Sequence, residues 1–129
     1  MNLTPEIISK YKDLSASQLK TKAQKVFNAF IRERDKDKGC ICCGKPGELQ
    51  AGHFYSAGKY NHMRFNEDNV HGQNKGCNYY KSGNLLEYRK ELIKKIGLKR
   101  VQKLDLLAAD RKAHKLDRFY LIEIIEKYK

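Results

Sequence analysis

Three of the four cysteines, Cys40, Cys42 and Cys43, crowd into one short stretch, and Cys77 follows at a distance. Cys40 and Cys43 form a Cys-x-x-Cys pair continued by Gly44 and Lys45. A turn of that shape aims two thiolates at one ion and lets backbone amides approach the sulfurs, as in a zinc knuckle. Such crowding suits pairwise disulfides poorly and points to metal binding in a reducing compartment. A structural Zn²⁺ takes four ligands. Cys77 supplies a third, but a second Cys-x-x-Cys would begin at position 74, which is Asn74. Three readings follow: Cys42 completes the set although it adjoins Cys43, His71 completes it, or the cysteines are buried without an ion.

A second group of residues offers acid–base chemistry. His53 lies in LQAGHFYSAGKY, residues 49 to 60. Leu49 and Ala51 suggest a short strand ending at the histidine, and the glycines around it suggest a ring projecting from the strand end into an open loop. Alone, it is a surface histidine; its company gives it weight. Asn69 closes Arg64-Phe65-Asn66-Glu67-Asp68-Asn69 and opens a second short stretch, Val70-His71-Gly72-Gln73. Asn78 follows Cys77 where a helix is expected to start, a place where asparagine also serves as a cap.

Helices must carry these groups. The spacing of Leu19, Ala23, Val26, Phe27, Phe30 and Ile31 predicts an amphipathic helix over 15–36, capped by Ser15 or Ser17, with Lys20, Lys22, Lys25, Arg32 and Arg34 largely off its apolar face. Seven glycines and Pro46 break residues 38–80 into loops and short strands. Helix returns from Ser82, with Leu85, Leu86, Leu92, Ile93 and Ile96 as its stripe and Gly97 as its end. A shorter helix is predicted over 98–108, and a last one over 116–128 with Leu116, Tyr120, Leu121, Ile124, Ile125 and Tyr128 inward. The expected fold is α+β and mostly helical, one domain over 1–129, its glycine-rich centre mounted on a helical core.

Lys and Arg number 27 against 15 Asp and Glu, a net charge of +12, which points to a polyanionic partner and first to nucleic acid. Residues 81–100 carry Lys81, Arg89, Lys90, Lys94, Lys95, Lys99 and Arg100 against only Glu87 and Glu91, and Lys59, Arg64 and Lys75 flank the histidine and asparagine motifs. Tyr55, Tyr60, Tyr79 and Tyr80 are available to stack on bases or to pack. Mean hydropathy is −0.76. No apolar run approaches the roughly 20 residues of a membrane span, and the first residues lack the apolar middle of a signal peptide. A cytoplasmic protein is expected.

From Cys40 to Asn84 the sequence resembles the HNH-type endonucleases, whose ββα-metal finger runs strand, loop, strand, helix. More closely it resembles the NinG (Rap) recombination proteins of lambdoid and related phages. The residues that carry this are Cys40-Ile41-Cys42-Cys43-Gly44-Lys45, Ala51-Gly52-His53, Arg64 to Asn69, His71-x-Gln73, Cys77-Asn78 and Ser82-Gly83-Asn84. With the flanking helices, the likeness covers most of residues 19–105. It implies an HNH-like finger over 38–84 between a basic helix, 15–36, and C-terminal helices, 85–129.

The resemblance also implies an activity: metal-dependent cutting of branched DNA, such as Holliday junctions or D-loops, in the cytoplasm of a phage-infected cell. His53 would be the general base, Asn69 would orient it, and Asn78 would bind a catalytic Mg²⁺ or Mn²⁺ through its amide oxygen. His71 would be a second ligand of that ion, a phosphate contact or the fourth zinc ligand. Cys40, Cys43 and Cys77 would hold structural Zn²⁺. Lys59, Arg64, Lys75, Lys81 and Arg89 would contact DNA, and paired cuts would need a homodimer. Many HNH sites carry an Asp before the histidine; here it is Gly52, so Glu48, Gln50, Asp68 or His71 would have to replace it. The competing reading is a non-catalytic zinc-containing protein that binds nucleic acid.

Overall fold

The computed structural model describes residues 3–80, 84–110 and 115–129. Helix α1, Pro5–Lys10, was not foreseen; Thr4 caps it and Pro5 opens it. Helix α2, Ala16–Asp35, starts at a capping box in which Ser15 and Gln18 satisfy each other's backbone amides. Its buried residues, Leu19, Ala23, Phe27, Ile31 and Asp35, recur every fourth position, so one stripe faces inward.

That stripe packs on helix α5, Arg118–Tyr128, capped by the Asp117 side chain. Leu121, Ile122, Ile124 and Ile125 are buried there, and the Phe27 and Tyr128 rings meet edge to face at 4.9 Å. Each fully buried aliphatic or aromatic side chain contributes about 1.5–3 kcal/mol, so this helix pair is a main source of stability. Ile122 joins the expected inward set, while Leu116, Tyr120 and Tyr128 pack at its edge.

Two strands follow, β1 (Gln50–His53) and β2 (Val70–Gln73), paired antiparallel with Gln50 opposite Gln73 and His53 opposite Val70. Both lie where the sequence places them. The hairpin sits on α2, and a second apolar cluster beneath it joins Leu49, Phe54 and Met63 to helices α3 (Leu85–Ile96) and α4 (Leu98–Ala109). Gly97 separates those two helices, as expected.

The stripe of α3 differs from expectation. Tyr88 and Leu92 are its buried residues, whereas Leu85 and Leu86 are 49% and 88% exposed. The Tyr88 hydroxyl donates to the Gly52 carbonyl at 2.6 Å, so a tyrosine fills the inward position because its polar end has a partner. Among the described residues, no helix is long and apolar enough to cross a membrane. Lys81, Ser82 and Gly83 lie outside them.

Candidate functional site

The cysteine knuckle closes on itself. Gly44 N donates to Cys40 O at 2.8 Å and Cys40 N to Lys45 O at 3.0 Å. Gly39 has φ +73°, and a Cβ there would lie 2.6 Å from the Gly44 carbonyl oxygen, so the turn admits only glycine. Ile41 N donates to Gly72 O at 2.8 Å and fastens the knuckle to β2.

Cys77 approaches from a five-residue π-helix, Gly76–Tyr80. The sulfurs of Cys40, Cys42 and Cys77 lie within 4.8 Å of one another, and all three residues are buried. The expected trio, Cys40, Cys43 and Cys77, is brought together as well: Cys43 stands at the exposed corner with its sulfur touching those of Cys40 and Cys77, while Cys42, one of the candidates for the fourth place, turns inward.

Amide N–H groups surround the sulfurs. Gln73 Nε2 donates to Cys42 Sγ at 3.0 Å, and Asn74 Nδ2 to Cys43 Sγ at 2.9 Å. Asn74 Oδ1 also accepts from Cys77 N at 2.8 Å. Asn74, which replaces an expected cysteine, therefore braces the cluster from outside. Burial pushes the Cys42 thiol up to about 12; a cation is what would hold it as thiolate. Converging buried soft donors with N–H support fit a thiophilic ion such as Zn²⁺. The described residues give it three or four sulfurs and no histidine.

The π-helix also serves a second site. Asn78, next to Cys77, lines a cleft of about 550 Å³ with Ala51, His53, Tyr55, Ser56 and Lys59. Adjacent residues on one turn thus face the thiol cluster and this cleft. Asn78 Nδ2 donates to Gln50 Oε1 at 2.9 Å, which orients the amide and leaves Oδ1 without a partner among the described residues.

His53 is held through one nitrogen. Its Nε2 lies 3.0 Å from the Arg64 carbonyl oxygen. A carbonyl only accepts, so Nε2 carries the proton and Nδ1 keeps a lone pair. Burial lowers the imidazole below its ordinary value, so it is neutral at pH 7.

Asn69 does not touch that ring. It is fully buried, its Oδ1 accepts from Tyr55 N at 2.8 Å, and its Nδ2 donates to Tyr55 O at 2.9 Å and Met63 O at 3.2 Å. It ties the chain just after His53 to the turn whose Arg64 carbonyl anchors the imidazole, and so positions the base at one remove. Asn69→Ala is expected to lower stability by about 2–4 kcal/mol, since three hydrogen bonds are lost and their partners left buried. Urea unfolding would measure the loss; a change below about 0.5 kcal/mol would contradict the clamp.

His71 turns away from the cleft. It pairs with Gly52, one residue out of phase with His53, and side chains alternate across a strand. Its Nε2 donates to Asp68 O at 2.9 Å, and its Nδ1 accepts from Lys95 Nζ at 2.8 Å and Arg34 Nη2 at 3.2 Å. Both nitrogens are used inside the protein, which corrects the expectation of a ligand or phosphate contact. The ring belongs to a buried network with Asp35, whose carboxylate takes Arg34, Lys95 and the Gly72 amide. Burial opposes the Asp35 charge, but those hydrogen bonds outweigh it and hold the carboxyl far below its ordinary range.

Burial and the Lys95 charge push His71 down to about 3. Its folded value lies below the unfolded one, near 6.5, so its contribution is complete above that pH and shrinks as pH falls toward 3. Stability is expected to drop by about 1.4 kcal/mol per pH unit between about 6 and 4 from this group alone. Chemical denaturation of the parent and His71→Gln across that range isolates the effect; parallel curves would refute it.

The basic residues divide. Lys59 lines the cleft and Lys75 is exposed. Arg64 donates Nε to Asn61 Oδ1 and Nη1 to Gln24 Oε1, both at 2.9 Å. Arg89 makes a two-pronged pair with Asp105 at 2.9 and 3.0 Å and so braces α3 against α4, contrary to its expected DNA contact. Asp68 is taken by Arg100, Glu48 is exposed, and Gln50 alone of the substitutes named for a missing acid touches Asn78. Tyr55 and Tyr60 pack together at 4.9 Å, while Tyr79 is 73% exposed. Sequence reasoning missed Gln73 as a thiol partner and the Arg64 carbonyl as the His53 anchor. The first is an amide in a cysteine-rich motif; the second is main chain and leaves no trace in residue type.

A sequence profile described as "Bacteriophage Lambda NinG protein" matches residues 8–129. "Protein ninG" of Escherichia phage lambda is 48% identical over 85 residues, 64% of this chain and 42% of that protein. "Protein ninG" of Salmonella phage P22 is 44% identical over 95 residues, 72% of this chain and 45% of that protein. The chain thus spans less than half the length of the relatives it matches. No solved structure matches it.

Proposed function

The chain belongs to the bacteriophage NinG family, and from that premise we propose that it is a metal-dependent, HNH-type endonuclease that cuts branched DNA in phage recombination. One observation carries the reading: His53, with its Nδ1 lone pair free of the Arg64 anchor, and Asn78 line the same cleft. In this reading the β1–β2 hairpin and the π-helix after it would stand for the two strands and the helix of a ββα-metal finger.

His53 Nδ1 takes a proton from water; the water oxygen attacks phosphorus, the P–O3′ bond breaks, and the 3′ oxygen leaves and is protonated. Asn69 and the Arg64 carbonyl keep the imidazole in the tautomer this needs. Lys59 holds phosphate in the cleft by charge. Among its described lining residues the cleft offers the Asn78 amide oxygen and no carboxylate, whereas Mg²⁺ or Mn²⁺ is ordinarily held by one or two carboxylates with substrate phosphate; Glu48, which lines the adjoining depression with Gln50 and Asn78, is the nearest described acid that would add one. Held through Asn78 Oδ1, such an ion would stabilise charge on the phosphate and leaving oxygen. The cysteine cluster with zinc would fix the π-helix and hence Asn78. Paired cuts at a junction would use two copies of the chain.

The test is incubation with a synthetic four-way junction and a plasmid, in Mg²⁺ or Mn²⁺ and then in EDTA. Cuts that need the added ion are expected. Tight binding with no cutting under any ion would favour the non-catalytic zinc module instead.

A further inference from the structure

Several of the basic residues on α3 and α4 are already neutralised. Arg89 is paired with Asp105, Arg100 with Asp68, Lys94 with Glu91, and Lys95 with Asp35. The exposed face of α2 is different. A groove of about 540 Å³ there is lined by Ser17, Lys20, Thr21, Gln24, Lys25 and Arg64, three cations and no acid. Gln24 is clamped at both ends, donating Nε2 to Asn28 Oδ1 at 2.7 Å and accepting Arg64 Nη1 at 2.9 Å. That clamp fixes the Arg64 guanidinium at the groove and leaves its Nη2 without a partner among the described residues.

Arg64 joins the groove to the chemistry. Its side chain closes the groove, and its carbonyl oxygen anchors His53. Further along α2, Asn28 and Arg32 line a second depression that includes Gln50, Asn78 and one acid, Glu48. The polar side of α2 therefore runs past both ends of the proposed site.

We propose that this groove seats a backbone phosphodiester of the DNA strand entering the His53 cleft, with Lys20, Lys25 and Arg64 as its cations. The proposal rests on the nuclease reading and assigns the main DNA-holding surface to α2 in place of α3. A seat built from lysines, hydroxyls and one arginine on phosphate gives affinity and register without reading sequence. Held beside Arg64, the strand is located by the same residue that locates the base.

The experiment measures equilibrium binding of a labelled four-way junction by His53→Ala protein with no Mg²⁺ or Mn²⁺ added and no chelator, across a salt series, so that cutting plays no part and the cysteine cluster keeps its ion. The Lys20→Gln/Lys25→Gln pair is added to that background and compared with a charge-matched control, Lys103→Gln/Lys115→Gln. All four positions are surface lysines, and a melting curve of each protein confirms folding. Loss of two phosphate contacts is expected to make the log–log salt slope shallower by about 2 and to weaken binding at 0.1 M salt at least about tenfold; the control pair should shift both far less. Inorganic phosphate, exchanged for chloride at constant ionic strength, should not displace the junction.

Equal slopes and affinities for the two pairs would overturn the α2 seat while leaving the nuclease reading intact. So would displacement by inorganic phosphate of the parent but not of the Lys20/Lys25 variant, which would make the groove a free-anion site. Preference for RNA of the same form would overturn the assignment to DNA. Absence of junction binding by the parent at low salt would overturn both readings together.

Discussion

Replacing His53 by alanine is expected to slow strand cleavage by about 10²–10⁴-fold, the usual cost of deleting a general base, and to leave junction affinity unchanged. The expectation rests on the tautomer. Nε2 is committed to the Arg64 carbonyl at 3.0 Å, so the ring can accept a proton only at Nδ1. It also rests on burial, which lowers the imidazole below its ordinary value and keeps the base form populated at neutral pH. A base must be unprotonated to act, so the cleavage rate should hold through neutrality and fall on acidification, with an apparent midpoint below about 6.5. Single-turnover cleavage from pH 5 to 8, beside binding measured without added Mg²⁺ or Mn²⁺, separates the chemical step from affinity. Cleavage by His53→Ala at the parental rate would remove the histidine from the mechanism. An acid limb above pH 7 would assign the titration to another group.

Removing metal from the cysteine cluster should have a comparably large effect, on folding as well as on cutting. The purified protein is expected to contain about one zinc per chain, within the ligand count a structural site uses. Zinc binding by small structural sites is worth about 10–16 kcal/mol at neutral pH, comparable to the whole stability of a typical domain, about 5–15 kcal/mol. The cluster joins three separate pieces of chain: the knuckle after α2, the end of β2 through Gln73 and Asn74, and the π-helix through Cys77. Cys77→Ser or a thiol-competitive chelator should therefore lower the melting temperature sharply and abolish cleavage, because Asn78 sits on the same turn. Added Mg²⁺ should not restore either. Protein free of transition metal with an unchanged melting curve would reduce the cluster to packed thiols.

The two effects differ in what survives. Loss of His53 should spare fold and binding, whereas loss of the cluster should spare neither. That contrast follows from position. His53 ends a strand and faces a cleft, while Cys40, Cys42 and Cys77 are buried where the second apolar cluster meets the hairpin.

Much of this was legible in residue order. The capped helix at Ser15, the two short strands ending near His53 and beginning near Val70, the knuckle at Cys40 and the break at Gly97 all depend on local rules of capping, periodicity and turn chemistry. Those rules act over a few residues, so the linear chain contains them. The family, too, is written in short ordered motifs.

Other features required the chain to be folded. His71 and His53 look equivalent in sequence, yet a one-residue difference in strand phase sends one into a buried ion network and the other to the cleft. Arg89 counts as a free cation until Asp105, on the next helix, is placed against it. Asn69 reads as a partner for an imidazole, but its three hydrogen bonds go to the main chain of Tyr55 and Met63. Cys42 and Cys43 are neighbours of one type, and only the folded knuckle, fastened to β2 through Ile41, sets Cys42 inside and Cys43 at the exposed corner. In each case residue type sets what a side chain can do, while at least one deciding partner lies on another turn, strand or helix, and only the packing of those segments decides which capacity is used.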